Sequence, residues 1–171
     1  PFLLLVQHAV TNEEDNISAI NETLIAIKSL KKQTIVIYPN ADSGGGQIIN
    51  SYKQLKYEQY ISLFPNLPRE DYLSLMKYAA CMVGNSSSGI IEAPYFRLPV
   101  VNIGTRQRNR EKACNVIDVI PDASEIIKSV KKALSERFQT TLNQMYIPYG
   151  EGDVGERIAQ VLAGINIDDK I

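Results

Sequence analysis

The sequence predicts an α/β fold built on a doubly wound parallel sheet, and three observations point there. Short segments that are apolar at every position recur along the chain, as strands covered on both faces require. Stretches with apolar residues at helical spacing separate them. Clusters rich in Gly, Ser and Asn follow directly on several of the strands, and in such a sheet those clusters gather at the carboxyl ends, where ligands bind.

Phe2–Val6 opens the chain as a strand, and Ile17, Ile20, Leu24, Ile27 and Leu30 follow at helical spacing behind Thr11-Asn12-Glu13-Glu14, which has the Thr-x-x-Glu form of a capping box. Thr34–Tyr38 is the next apolar run and completes a βαβ unit. Pro39–Gly46 is a loop by composition and leads into a helix through Ile48, Tyr52 and Leu55. Tyr57–Leu63 alternates like a strand, and Arg69–Tyr78 reads as a helix with Tyr72, Leu73 and Met76 on one face. After the strand Cys81–Val83, Ser87 or Ser88 is placed to cap a short helix through Ile90 and Ile91, which Pro94 ends or bends. Pro99–Ile103 and Asn115–Val119 are the last strands. A helix from Asp122 carries Ile126, Ile127, Val130 and Leu134, another from Val154 carries Ile158, Val161 and Leu162, and Asn166–Ile171 reads as a frayed end.

With 171 residues, 44% of them apolar, residues 1–171 suffice for one domain that needs neither metal nor disulfide. Lys and Arg number 18 against 19 Asp and Glu, so no sequence-wide basic field exists for nucleic acid or an anionic membrane, and an anionic ligand must be gripped locally. Apolar runs stop far short of the roughly 20 residues that cross a bilayer. Cys81 and Cys114 lie far apart, form no metal or redox motif and fall in apolar runs, so both are expected as buried, reduced thiols of a soluble, cytoplasmic protein. The start at Pro1-Phe2, without Met and already in a strand, suggests a cut inside a longer protein. Gly44-Gly45-Gly46 lacks the third glycine of a dinucleotide turn and no GxxxxGK[ST] loop occurs, so no cofactor is expected.

Four strand-end clusters remain. Gln7–Thr11 holds His8, the single histidine. Gly84–Glu92 includes Ser86, Ser87 and Ser88, whose hydroxyls and backbone N–H groups at a helix start suit an anion; Glu92, one turn further, suits the two hydroxyls of a ribose. In Gly104–Glu111, Arg106, Arg108 and Arg110 alternate: the guanidinium fork matches phosphate oxygens, with Arg106 the favoured member, and a solvated charge run is the alternative. Asn66–Tyr72 is a strand-to-helix turn whose backbone can pair with a base edge, or simply a helix start with Pro68.

In order, His8-Ala9-Val10-Thr11, Pro39-Asn40-Ala41-Asp42-Ser43-Gly44, Leu67-Pro68, Gly84-Asn85-Ser86-Ser87-Ser88-Gly89-Ile90-Ile91-Glu92 and Gly104-Thr105-Arg106-Gln107 resemble the second half of UDP-N-acetylglucosamine 2-epimerases. The resemblance spans about residues 1–164 and is closest to the hydrolysing branch, which makes N-acetylmannosamine and UDP for sialic acid-type sugars. It implies a Rossmann-like domain equivalent to the C-terminal half of a GT-B fold, with an N-terminal partner domain outside this chain. It also implies that His8, Asn40, Leu67, Ser86, Ser87, Glu92 and Arg106 bind UDP. Leu67 would use its backbone on uracil and Glu92 its carboxylate on ribose, while the serines, Arg106 and His8, the one residue with a catalytic role, would meet the diphosphate. The family reaction removes the proton at sugar C2, eliminates UDP and hydrates the resulting glycal. Its proton-moving carboxylates would lie in the partner domain, so this chain alone is expected to be inactive. A glycosyltransferase half and a non-catalytic nucleotide-binding module are the alternatives, and a homo-oligomer stays open.

Overall fold

Leu3–Val6 (β1) is buried at all four positions because it runs through the middle of a parallel sheet covered on both faces. In the computed structural model, which describes residues 1–10, 16–150 and 152–165, β1 pairs with Thr34–Ile37 (β2) on one side and Cys81–Gly84 (β4) on the other. Ile61–Phe64 (β3), Val100–Ile103 (β5) and Val116–Val119 (β6) complete the order β3-β2-β1-β4-β5-β6, every neighbour parallel. This is the Rossmann-like, doubly wound arrangement the sequence predicts.

Side chains alternate across the pleat and so build two cores. Leu3 and Leu5 meet Ile20 and Ile27 of α1 (Asn16–Leu30), Ile48 and Tyr52 of α2 (Gly45–Tyr52), and Ile126 and Val130 of α5 (Ala123–Ala133). Leu4 and Val6 face the other way, onto Met76 of α3 (Arg69–Tyr78), Ala93 and Leu98. The chain winds outward from β1 to β3, then crosses to β4 and winds out the other way, which leaves a crevice between the carboxyl ends of β1 and β4.

Several expectations are corrected. The second helix ends at Tyr52; Leu55 is buried from a 3₁₀ turn, Lys53–Tyr57, instead. The strand expected from Tyr57 begins only at Ile61, because the Glu58 N–H closes a turn on Leu55 and the Ile61 N–H another on Glu58. Ile17 is exposed, and α1 buries Ile20, Thr23, Leu24, Ala26 and Ile27. Cys81 is buried, but Cys114 sits in the turn before β6 and is exposed; both are free thiols. Pro94 does end the short helix α4 (Ser88–Ile91), and a 3₁₀ turn, Ala93–Phe96, follows. A further helix, α6 (Glu136–Thr141), was not expected; none of its residues is buried, so it has no apolar stripe to read. In α7 (Val154–Gly164) the apolar spacing is present, yet Ile158, Val161 and Leu162 are 54%, 66% and 64% exposed. The proposed capping box at Thr11–Glu14 and the end at Asn166–Ile171 lie outside the described residues. Among the described residues no helix is long and apolar enough to cross a membrane.

Candidate anion-binding crevice

The site is organised by a residue pair at the end of β4. Gly84 has φ +128°, and a Cβ there would lie 2.0 Å from the Val6 carbonyl oxygen, so only glycine lets the two backbones close up. Asn85 then turns its side chain across the crevice: Oδ1 accepts from the His8 N–H at 2.7 Å, and Nδ2 donates to the His8 carbonyl at 2.9 Å. The amide thus prolongs the β1–β4 ladder by one step after the strands have parted. The Asn85 carbonyl accepts from Gln107 Nε2 at 2.9 Å and from Arg106 Nη1 at 3.3 Å. Loops following β1, β4 and β5 are therefore tied to a single buried residue.

The loop after β2 joins through His8. Its Nδ1 lies 3.2 Å from the donating Asn40 N–H and 3.0 Å from Asn40 Oδ1. The imidazole pKa is lowered from its ordinary 6.5, first by burial and then by the Arg106 guanidinium, which outweigh the Asn40 bond and the Asp42 carboxylate. Arg106 also stands 3.8 Å from Asp42, a long, partly exposed ion pair worth under about 1 kcal/mol, which an arriving anion displaces at little cost. Arg108 and Arg110 are exposed and belong to the solvated run.

On the β4 side, Ser86 and Ser87 are half-buried and Ser88 is buried. Ser87 stands at the helix start but makes no side-chain capping bond; Ser86 Oγ takes the Ser88 N–H instead, at 3.4 Å. Because α4 has only four residues, its dipole is small, and hydroxyls and cations supply the attraction for an anion. Ser86 Oγ lies 2.9 Å from Ser88 Oγ, which lies 2.6 Å from the Tyr72 hydroxyl. Glu92 is half-buried near Tyr72, whose phenol pKa is raised mainly by burial and further by the Glu92 charge. Leu67, between β3 and α3, packs its side chain on the second core.

The structure thus brings His8, Asn40 and Arg106 together around Asn85, and links Ser86 through Ser88 to Tyr72 with Glu92 nearby. Among the described residues no hydrogen bond joins the side chain of Ser87 or Glu92 to the others, and the apolar Leu67 side chain only packs on the second core. On sequence alone Asn85 and Gln107 have no role of their own, Ser88 reads as a candidate helix cap and anion donor, and Tyr72 falls on a packing face. A signal was present for Asn85, since a polar residue directly after a buried strand is either solvated or tightly bonded. Among the described residues no group of three or more His, Cys, Asp or Glu is placed to hold a metal ion.

Fold and site together define a Rossmann-like α/β protein of the doubly wound kind, with donors converging on the crevice at its topological switch point. Residues 1–163 match the family model described as UDP-N-acetylglucosamine 2-epimerase, and the chain belongs to that family. It is 34% identical over 169 residues to a UDP-N,N'-diacetylbacillosamine 2-epimerase (hydrolyzing) of Legionella pneumophila, covering 98% of this chain and 44% of that protein. It is 34% identical over 129 residues to the UDP-N-acetylglucosamine 2-epimerase of Neisseria meningitidis, covering 75% of this chain and 34% of that one. The fold matches the Methanocaldococcus jannaschii UDP-GlcNAc 2-epimerase, solved with UDP-GlcNAc and UDP, with TM-score 0.71 at 19% identity over 95% of this chain and 44% of that one. The chain spans less than half the length of these relatives.

Proposed function

We propose that this chain is the UDP-binding half of a hydrolysing UDP-N-acetylglucosamine 2-epimerase, which converts UDP-N-acetylglucosamine to N-acetylmannosamine and UDP. The observation that carries the reading is the convergence of His8, Arg106 and Ser86 on one crevice beside Asn40, held by a buried amide. When the proton at sugar C2 is removed, the C1–O bond breaks and its electron pair passes to the β-phosphate oxygen, leaving a glycal that then takes up water. Charge develops on the leaving diphosphate, so donors fixed beforehand at that position favour the transition state over the bound substrate. Arg106 and Ser86 serve that charge directly. The neutral His8 ring lies against Asn40, and an anion beside it draws a proton to the ring.

In this reading Glu92 accepts from the ribose hydroxyls, the Leu67 backbone meets uracil, and Ser87 presents its hydroxyl to the phosphates. Carboxylates that move the C2 proton come from an N-terminal domain, for which the exposed apolar face of α7 offers a docking surface. The isolated chain binds UDP and does not turn over. The reading also places the protein in the cytoplasm, supported by its two free thiols. Titration calorimetry with UDP tests it: binding with one site per chain is expected, and no heat up to millimolar UDP would overturn it.

A second substrate, a UDP sugar acetamidated at two positions, is favoured by the name of the Legionella relative. Supplying the full-length enzyme with each UDP sugar and identifying the released sugar separates the two.

A further inference from the structure

Tyr72, Ser88 and Ser86 form a line of hydroxyls in which either member of each pair can donate, and what each can give and take favours one direction. Ser86 Oγ has two acceptor positions: the Ser88 N–H donates to one at 3.4 Å, and the Ser88 hydroxyl, 2.9 Å away, can donate to the other or accept from Ser86. With Ser88 as donor, the Ser86 proton is left for the neighbouring Tyr72 oxygen or for an anion outside the line, and an anion is the stronger acceptor. Ser88 Oγ in turn lies 2.6 Å from the Tyr72 hydroxyl, and a phenol, being a stronger acid than an alkyl hydroxyl, is the better donor of the two. Running the line the other way would make Tyr72 the terminal donor, needing a further acceptor, and would leave the Ser86 oxygen facing an anion with its lone pairs.

We infer that Tyr72 is a positioning residue for the anion site: it donates to Ser88, Ser88 donates to Ser86, and Ser86 is thereby held as a hydroxyl donor toward the diphosphate. The inference rests on the reading of the crevice as a UDP site and adds to it a control of proton direction from α3, the helix that follows the Leu67 turn. Each link strengthens the next, because a hydroxyl that accepts becomes a better donor.

The test is calorimetry of the full chain with UDP and with uridine, which lacks the diphosphate. Tyr72→Phe removes one oxygen and keeps the ring that packs on the second core, so its unfolding temperature serves as a check on the fold. The expected result is a roughly three- to tenfold loss of UDP affinity, the size of one neutral hydrogen bond, with uridine binding unchanged. Ser88→Ala gives the same pattern, and in a Ser86→Ala background Tyr72→Phe produces no further loss. Equal weakening of UDP and uridine, a loss that persists without Ser86, or unchanged UDP binding overturns the relay while leaving the UDP site standing. Failure of the unaltered chain to bind UDP removes the site and the relay with it.

Discussion

The crevice between β1 and β4 and the face of α7 break the usual distribution of side chains in opposite senses. At the crevice, Asn85 and Gln107 are polar and almost fully buried. On α7, Ile158, Val161 and Leu162 are apolar and more than half exposed. Burying a polar group costs free energy unless its bonds to water are replaced: both side-chain atoms of Asn85 find protein partners, whereas Gln107 replaces only its Nε2 bond and leaves a buried Oε1 without a partner among the described residues. A contiguous apolar face in solvent has nothing comparable to hold it, and it marks a surface that gains by being covered.

That contrast is broken most severely at Gly84. Gly84→Ala puts a Cβ against the Val6 carbonyl at a positive φ, and it should cost about 4 kcal/mol or more in urea unfolding, since neither backbone can retreat without opening the sheet. A tolerated alanine would mean that the strands part more easily than their packing implies. The next largest effect separates the two apolar helices. Ile126→Ala, on the fully buried face of α5, should cost about 2–5 kcal/mol, whereas Ile158→Ala on α7 should stay within about 0.5 kcal/mol in the same chain. Equal costs would show that α7 is covered after all.

A smaller effect belongs to ligand binding. Glu92→Gln should weaken UDP and uridine by about 1.5–3 kcal/mol and leave uracil unaffected, because the proposed contact is a charge-assisted bond to ribose. Loss of uracil binding as well would indicate a damaged fold. The smallest is the pH response of His8. Its folded pKa lies below 6.5, so the unfolded chain binds the proton more readily, and this residue's contribution to stability falls as pH drops through 6.5 toward the folded value, then levels off. His8→Gln should flatten that part of a stability profile, and an unaltered slope would assign it to other groups.

The sheet was legible because β1, β4 and β5 are apolar at nearly every position, a pattern that only double coverage explains. Residues 53–60 were not, since a 3₁₀ turn and a strand start both place apolar residues at irregular short intervals. Cys114 was misread for a related reason: apolar neighbours indicate that a strand is near, while the turn before it decides exposure. In the site, the placement of His8, Asn40 and Arg106 at strand ends could be read from the sequence, because topology alone brings those ends together. Arg106 was legible as the favoured arginine, but its acceptor, the Asn85 carbonyl, was not, since carbonyl directions are set by tertiary packing. Tyr72 was hidden by its period: it falls on the buried stripe of α3 with Met76, so its ring satisfied the pattern and its hydroxyl went unnoticed.

The position of β1 at the middle of the sheet has a consequence in time. β1 lies ahead of both its partners in the chain, and the contact that completes the crevice joins residues 77 apart, His8 and Asn85. Loop closure over such distances makes parallel sheets slow to fold, and during synthesis β1 waits, apolar on both faces, until β4 has emerged. β1 and β2 pair early through α1, but the crevice exists only after the second half docks. Formation of the His8–Asn85 pair therefore marks closure of the β1–β4 step, and the Glu22–Ala123 bond, across 101 residues, ties α1 to the start of α5 over a longer loop still.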